Sequence, residues 1–218
     1  MSRIRSRVLW CLPIALVAAQ TSQSRPYQDR EAELKARVVA LLGLKSGGVA
    51  ADVGCGDGFY TIPLARVLGP SGKVYAEDIS DEQLAKLKQN VTDEGLTNVE
   101  IIKGKPDDPG LPQGAVDAVL IVNAYHEMTA HETILGQVSS ALKPGGILVL
   151  MESMWNDHES RSREQQVKSH ELAPAVARPE LEKAGFEIVA LHDPFIERPA
   201  DRDGKSRWWA IVARKAVH

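Results

Sequence analysis

The sequence predicts an α/β fold, a doubly wound sheet that is mostly parallel and has an antiparallel last strand. Short apolar runs alternate with segments of helical periodicity from Val49 to Glu152. This alternation is typical of a parallel sheet covered by helices on both faces. Two further strand-like runs then follow each other without a helix between them, so they can pair as a hairpin at the sheet edge.

Seven strands and five helices can be assigned in order. The predicted strands are Val49–Val53, Lys73–Asp78, Val99–Lys103, Val116–Val122, Ile147–Glu152, Phe186–Leu191 and Arg207–Arg214. Apolar residues three and four positions apart predict the helices Asp29–Leu42, Tyr60–Leu68, Asp81–Thr92, Ala130–Leu142 and Pro179–Ala184. Clusters of Gly and Pro at 69–72 and 143–146 predict turns, and residues 153–177 are the least patterned part of the domain.

Composition excludes several classes of protein. Of the 218 residues, 44% are hydrophobic and 25% are charged, which disfavours a wholly disordered chain or one with many membrane spans. The formal net charge of -3 argues against a dedicated nucleic-acid binder. Cys11 and Cys55 are too few for a disulfide scaffold or a four-cysteine zinc site.

The first nineteen residues predict a secretory signal peptide. Three arginines precede an apolar run at 8–19 that ends in small residues, and this run is too short for an ordinary membrane-spanning helix. An uncleaved anchor and a spurious upstream extension are the alternatives. Residues 20–28 would then be a linker and 29–218 the working domain, with no stable membrane insertion after cleavage. We expect an exported protein, periplasmic or secreted, if the leader functions, and a cytoplasmic one otherwise.

Removing the leader also changes the charge. Basic residues fall from 26 to 23 against 29 acidic ones, so the remaining domain has a net charge of -6. This strengthens the case against nucleic acid as a partner and favours a small-molecule substrate.

A glycine-rich loop follows the first predicted strand and opens the next helix. It reads Asp52-Val-Gly54-Cys-Gly56-Asp-Gly58. Glycines let a ligand approach the backbone, and free N–H groups at the helix start can bind a carboxylate or phosphate. Asp78 ends the next strand, where a carboxylate can accept hydrogen bonds from ribose hydroxyls, and Glu77 is the alternative if the register slips. Together these features predict a nucleoside cofactor.

Four segments in order resemble the motifs of the class I S-adenosylmethionine-dependent methyltransferases. They are the glycine loop with its preceding acid, Val74–Ser80, Val116–Val122 and Leu142–Val149. The resemblance runs from about Asp29 to Arg214. It implies a Rossmann-like seven-stranded sheet, S-adenosylmethionine as cofactor, and transfer of the methyl group to a small-molecule acceptor.

The resemblance also assigns cofactor contacts by position. Gly54, Gly56 and Gly58 would line the methionine part of the cofactor, and Asp52 would orient its ammonium. Asp78 would hold the ribose.

At the adenine end the sequence departs from the family pattern. Ile79 would pack on the adenine, but Lys105 stands where related sequences often carry an acid that contacts the adenine amino group. Asp107 or Asp108 would take that role, or else backbone groups of the loop. Asn123, at the end of the fourth strand, is a further expected cofactor contact.

Tyr125, His126 and Glu127 follow the strand whose end faces the transferable methyl group in this fold. The protein mainly aligns the reactants in such an in-line displacement. His126 has a suitable unperturbed pKa, about 6.5, for a base, with a loop histidine bonding the backbone as the alternative. Tyr125 would act there or cover the cofactor. Glu127 would orient His126 or bind a polar substrate, unless it is a solvated acid.

No metal site is predicted. His126 and His131 are five residues apart, whereas a zincin helix needs the two histidines four apart. In the poorly patterned segment, Trp155, His158 and His170 are candidates for lining a substrate lid, although ordinary packing or surface roles are favoured for each.

Two other functions remain open from the sequence. A protein that binds S-adenosylmethionine without transferring a methyl group is suggested by the export signal, because the cofactor is made in the cytoplasm. A nicotinamide-dependent oxidoreductase is disfavoured by the Gly-x-Gly-x-Gly spacing, since dinucleotide binders carry Gly-x-Gly-x-x-Gly. The acceptor, its methylated atom and the oligomeric state are not predicted.

Overall fold

The computed structural model describes residues 27–197 and 206–217. The predicted signal peptide and most of the predicted linker lie outside these residues. The strands are β1 Val49–Val53, β2 Lys73–Asp78, β3 Val99–Lys103, β4 Val116–Val122, β5 Leu142–Trp155, β6 Phe186–Glu197 and β7 Ser206–Lys215. The α-helices are α1 Tyr27–Leu41, α2 Thr61–Leu68, α3 Asp81–Asp93, α4 His131–Ala141, α5 Arg163–Lys168 and α6 Pro174–Lys183.

The seven strands form one sheet in the order β3-β2-β1-β4-β5-β7-β6. The pairs from β3 to β5 are parallel, and β7 runs antiparallel to both β5 and β6. The predicted fold class is therefore confirmed. The strand order reverses between β1 and β4, which is where ligands bind in sheets of this type.

Both faces of the sheet are buried because most neighbouring residues of its central strands are apolar, as residues 118–121 of β4 are. Successive side chains of a strand point to opposite faces. In β4, Val119 and Ile121 join the core cluster that contains Leu135 of α4. Ala118 and Leu120 join the cluster under α1 and α2. A strand with polar residues at alternate positions would leave one helical layer without a partner.

Several predicted boundaries were wrong: β5 ends at Trp155 rather than Glu152, and β6 continues to Glu197 rather than ending at Leu191. Residues 143–146 do not form a free turn, because Leu142 pairs at once with Val116 and the next pair is Ile147 with Ala118. The intervening residues therefore bulge out of β5. Helix α6 begins at Pro174, whose missing N–H group costs no helical hydrogen bond in the first turn, so Pro179 lies inside the helix rather than at its start.

The poorly patterned segment also contains ordered structure. Helix α5 begins with a capping box in which Ser162 accepts from the Gln165 backbone N–H and Gln165 accepts from that of Ser162. Within residues 27–197 and 206–217, no helix is both long enough and apolar enough to cross a membrane.

Candidate functional site

A cavity of about 1210 Å³ opens at the carboxyl ends of β1, β2 and β4. Its polar wall combines residues 52–57 of the glycine loop, residues 77–80 at the end of β2 and residues 122–124 after β4. These segments are far apart in sequence, but parallel strands bring their carboxyl ends to one edge of the sheet.

The glycine loop needs its glycines for different reasons. Gly54 has φ +71°, and a Cβ there would lie 2.5 Å from the Cβ of Ala124. Gly56 has φ +55° with open space beside it, so its backbone faces the cavity without obstruction. The N–H groups of Gly54 and Cys55 both donate to the Glu77 carbonyl at 2.9 Å, which fixes the loop to the end of β2.

Asp78 connects the glycine loop to the start of α3. Its carboxylate accepts from the Gly56 N–H at 2.9 Å through Oδ2 and from the Ser80 N–H at 2.8 Å through Oδ1. A carboxylate oxygen can accept more than one hydrogen bond. Asp78 lines the cavity, so it can also accept from a ligand hydroxyl, and its contact with ribose stays a prediction.

Asp52 is a buried acid on the cavity wall. It is 3% exposed and accepts from the Thr61 hydroxyl at 2.6 Å. Burial raises the pKa of Asp52 to about 6, against the lowering effect of the Thr61 bond and with a further increase from nearby Asp78. A bound cation would favour the ionised form of this carboxyl.

Glu77 is a second buried acid, which the sequence suggested only as an alternative to Asp78. It is 4% exposed, and burial raises its pKa to about 7 despite a hydrogen bond from the Gly54 N–H at 3.3 Å. A Cβ on Gly104 would lie 1.7 Å from the carboxyl oxygen Oε1, so only glycine leaves room for this side chain. Glu77 also lines the cavity.

The cavity wall is strongly acidic. Among the lining residues that the structure describes, Lys105 is the one Lys or Arg side chain, against five carboxyl groups: Asp52, Asp57, Glu77, Asp78 and Glu127. Burial raises the pKa of the Cys55 thiol well above its usual range, and the neighbouring acids raise it further, so this thiol is not a nucleophile here. The wall suits a ligand with positive charge.

The structure places Ile79, Lys105 and Pro106 on the cavity wall. Ile79 is 56% exposed, so an apolar ligand surface can cover it. Asp107 and Asp108 are not among the lining residues, because the backbones of Lys105 and Asp108 pair in a tight turn. The Asp108 carboxylate accepts from the Gly110 N–H at 2.8 Å. The structure thus gives no support to an adenine contact by either acid.

The three predicted catalytic residues form a short 3-10 turn, Tyr125–Glu127. Tyr125 is fully buried and does not line the cavity. Its hydroxyl donates to Oε2 of Glu180 on α6 at 2.7 Å. The structure therefore places Tyr125 behind the cavity wall, where it neither covers a cofactor nor reaches an acceptor.

His126 does not line the cavity either. It is 2% exposed, its Nδ1–H donates to Glu152 Oε2 at 2.8 Å, and its backbone N–H donates to Glu152 Oε1 at 3.2 Å. Burial alone would lower the pKa of His126, but the hydrogen bond and charge of Glu152 outweigh it and raise the pKa. Glu127 does line the cavity, and so does Asn123, which has φ +53°.

The apolar side of the cavity contains residues that the sequence did not single out for a site. They are Leu34, Phe59, Tyr60, Met128, Ile134, Met151, Ile196 and Trp208. Trp208 lies inside the predicted last strand, where a tryptophan most simply packs in the core, and only the sheet order brings β7 beside the cavity. The candidate lid residues Trp155, His158 and His170, for which ordinary packing or surface roles were favoured, do not line it. His158 instead bonds to the buried Glu171.

Comparison with known proteins places the chain in a family. Residues 44–198 match the family described as "Methyltransferase domain". The chain belongs to this methyltransferase family. The match confirms the resemblance seen in the four motifs and supports S-adenosylmethionine as the cofactor, whereas the nicotinamide alternative is not favoured.

A curated relative and two solved structures illustrate the likeness. The demethylmenaquinone methyltransferase of Geobacillus stearothermophilus is 35% identical over 116 residues, which are 53% of this chain and 50% of that protein. The chain spans about half the length of the curated relatives it matches. A SAM dependent methyltransferase from Aquifex aeolicus has TM-score 0.68 and 23% identity, covering 88% of this chain and 100% of that one.

The second structure is geranyl diphosphate C-methyltransferase from Streptomyces coelicolor A3(2), solved in complex with Mg²⁺, geranyl diphosphate and S-adenosyl-L-homocysteine. It has TM-score 0.67 and 16% identity, covering 87% of this chain and 82% of that one. At these identities the two structures support the methyltransferase fold.

Proposed function

We propose that the protein transfers the methyl group of S-adenosylmethionine to a small-molecule acceptor with an apolar body. The observation that carries this proposal is the acidic cavity at the reversal of strand order. One wall of this cavity contains the unobstructed backbone of Gly56, the buried Asp52, and Asp78, whose carboxylate accepts two backbone hydrogen bonds. Family membership supports the same chemistry.

In this proposal the residues of the acidic wall hold the cofactor. Asp52 would accept from the ammonium, Asp78 would accept from the ribose, and the Gly54–Gly56 backbone would lie along the methionine part. The cofactor supplies the sulfonium leaving group. Formation of a bond from the acceptor to the methyl carbon would break the bond from that carbon to sulfur, and the proton that the acceptor loses would pass to water. The main task of the protein is then to hold the two reactants in line.

The apolar side of the cavity indicates the class of acceptor. Phe59, Tyr60 and Trp208 offer three aromatic surfaces, and Leu34 and Ile196 add aliphatic ones. Burial raises the pKa of Tyr60 to about 12, so its hydroxyl stays protonated and can donate to an acceptor oxygen. An aromatic or quinone-like ring with one polar group fits this lining, and the name of the demethylmenaquinone methyltransferase relative agrees with such an acceptor.

The proposal is tested by measuring S-adenosylhomocysteine formation by the full chain with a panel of hydroxylated aromatic and reduced quinone acceptors. We expect turnover with at least one apolar ring compound. In Trp208→Ala we expect a higher KM for that compound and therefore slower methyl transfer at a fixed acceptor concentration. The matched control is Trp155→Ala, which lies outside the cavity lining. Tight cofactor binding without turnover across the panel would favour the alternative of a binding protein without transferase activity.

Export is proposed as well, on the basis of the leader pattern in residues 1–19. Fractionation of native cells with N-terminal sequencing tests it. A mature start near Gln20 outside the cytoplasm is the expected result, and a full-length cytoplasmic protein would contradict it.

A further inference from the structure

We propose that His126, Glu127 and His170 form a binding site for a transition-metal dication of the zinc class at the rim of the cavity. Within residues 27–197 and 206–217, these three side chains each place one ligand atom within 4.8 Å of the other two. The histidines are 44 positions apart in sequence, so the fold alone assembles the cluster. The site goes beyond methyl transfer and needs no bound cofactor.

The distances suit a small cation. Glu127 Oε1 lies 3.7 Å from His126 Nε2 and 3.6 Å from His170 Nδ1. Two ligands about 2.1 Å from a tetrahedral zinc ion are about 3.4 Å apart. The two pairs therefore need only a small contraction around an ion. His170 and Glu127 are exposed on the surface, and this leaves both free to make that movement.

The buried histidine is already oriented as a metal ligand. The Nδ1–H of His126 donates to Glu152 at 2.8 Å, and Glu152 is fully buried. This bond fixes the neutral tautomer in which Nε2 carries the lone pair, and Nε2 is the atom that points toward Glu127. Metal-binding histidines commonly donate their other N–H to a carboxylate in this way.

Residue type favours zinc-class ions over magnesium and calcium. Two imidazole nitrogens and one carboxylate are ligands that Zn²⁺ and its neighbours bind well, whereas Mg²⁺ and Ca²⁺ prefer oxygen. Three protein ligands leave a fourth position open, as in catalytic zinc sites. Since Glu127 also lines the cavity, that ion would lie at the edge of the cavity.

The sequence gives no local signal for this cluster, because its spacing pattern relates His126 only to His131. In the structure His131 lies near Glu180, at 3.4 Å, rather than near Glu127. The rings of His126 and His170 have centroids 5.8 Å apart and nearly perpendicular planes. No spacing rule links residues this far apart in the chain.

The test is calorimetric titration of the untagged, chelator-treated full chain with Zn²⁺, in the absence of S-adenosylmethionine. We expect one ion per chain, and little heat with Mg²⁺ at the same concentration. Co²⁺ should give the intense visible absorption of a four-coordinate ion. Because cofactor and acceptor are absent, failure here leaves the proposed methyl transfer untouched, and failure of methyl transfer leaves this titration valid.

The variants distinguish this site from adventitious binding. His170→Ala and Glu127→Gln should each weaken Zn²⁺ affinity at least about 100-fold, and Glu152→Gln about 10–100-fold, as for loss of an orienting partner. His192→Ala and Glu164→Gln are the matched controls and should leave the affinity unchanged. Absence of stoichiometric binding would overturn the proposal, and so would binding that survives His170→Ala and Glu127→Gln.

Discussion

Replacing Asp52 by asparagine should stabilise the protein while lowering its affinity for the cofactor. In the native protein the Thr61 hydroxyl lies 2.6 Å from the Asp52 carboxylate. Asparagine has nearly the same shape, and its carboxamide oxygen can still accept from that hydroxyl. The substitution removes a buried negative charge that lies close to Asp78. The free energy of unfolding should therefore rise at neutral pH.

The magnitude follows from the raised pKa. Asp52 has a folded-state pKa of about 6 against an ordinary value of 3.8. At about 1.36 kcal/mol per pKa unit, the buried charge costs about 3 kcal/mol at neutral pH. The new amide N–H groups must find water in the cavity, which reduces the gain, so we expect about 1–3 kcal/mol. For a chain of this size that corresponds to about 2–4 °C in Tm per kcal/mol.

The pH dependence gives the sharper test. Between about pH 4 and pH 6 the folded protein keeps the Asp52 proton that the unfolded chain has lost, so wild-type stability falls as pH rises through this window. The stability of the asparagine variant should not fall in this way, because the variant has no Asp52 proton to lose. The stability difference between the two should be near zero at pH 4 and complete above about pH 7.

The assay is thermal and urea unfolding of both proteins at several pH values without cofactor. Asp117→Asn is a control of opposite sign: burial alone would raise the pKa of Asp117, but hydrogen bonds from Lys143 and the Val49 N–H lower it. That variant should lose stability at neutral pH and keep cofactor affinity. An Asp52→Asn protein that is less stable at pH 8, or whose difference from wild type does not change with pH, would refute the reasoning.

Three further predictions follow from the same contacts. Gly54→Ala would place a Cβ 2.5 Å from that of Ala124 at φ +71°, so we expect a loss of about 1–3 kcal/mol in urea unfolding and at least tenfold weaker S-adenosylhomocysteine binding. Asp78→Ala should fold and lose cofactor binding in calorimetry; normal affinity would contradict its assigned role. Tyr125→Phe leaves Glu180 without its 2.7 Å hydrogen bond, so stability should fall by about 1 kcal/mol while cofactor affinity stays unchanged.

The strands were predictable because their signal is local. Residues 118–121 of β4 are apolar and buried at four successive positions, which requires a strand covered on both faces. A serine directly before a helix is a local capping signal too, and the Ser80 side chain accepts from the Gln83 N–H at the start of α3. In contrast, the bulge at 143–146 depends on which residue of β4 faces Leu142, and no local pattern specifies that register.

Site residues were predictable where the fold of the backbone determines their position. They were less predictable where distant partners determine the direction of a side chain. The glycine loop and Asp78 lie where parallel strands must end, so their meeting follows from the fold. The directions of Tyr125 and His126 are set instead by Glu180 and Glu152, which are 55 and 26 residues further along the chain. Sequence spacing carries no information about such partners.

Calorimetric titration of S-adenosylhomocysteine into the full chain tests the central claim most directly. The account predicts saturable binding of one molecule per chain, weakened about 10–100-fold by Asp52→Asn through loss of one charge-assisted hydrogen bond, with no comparable binding of NAD⁺. Absence of S-adenosylhomocysteine binding, or equal binding of NAD⁺, would contradict it.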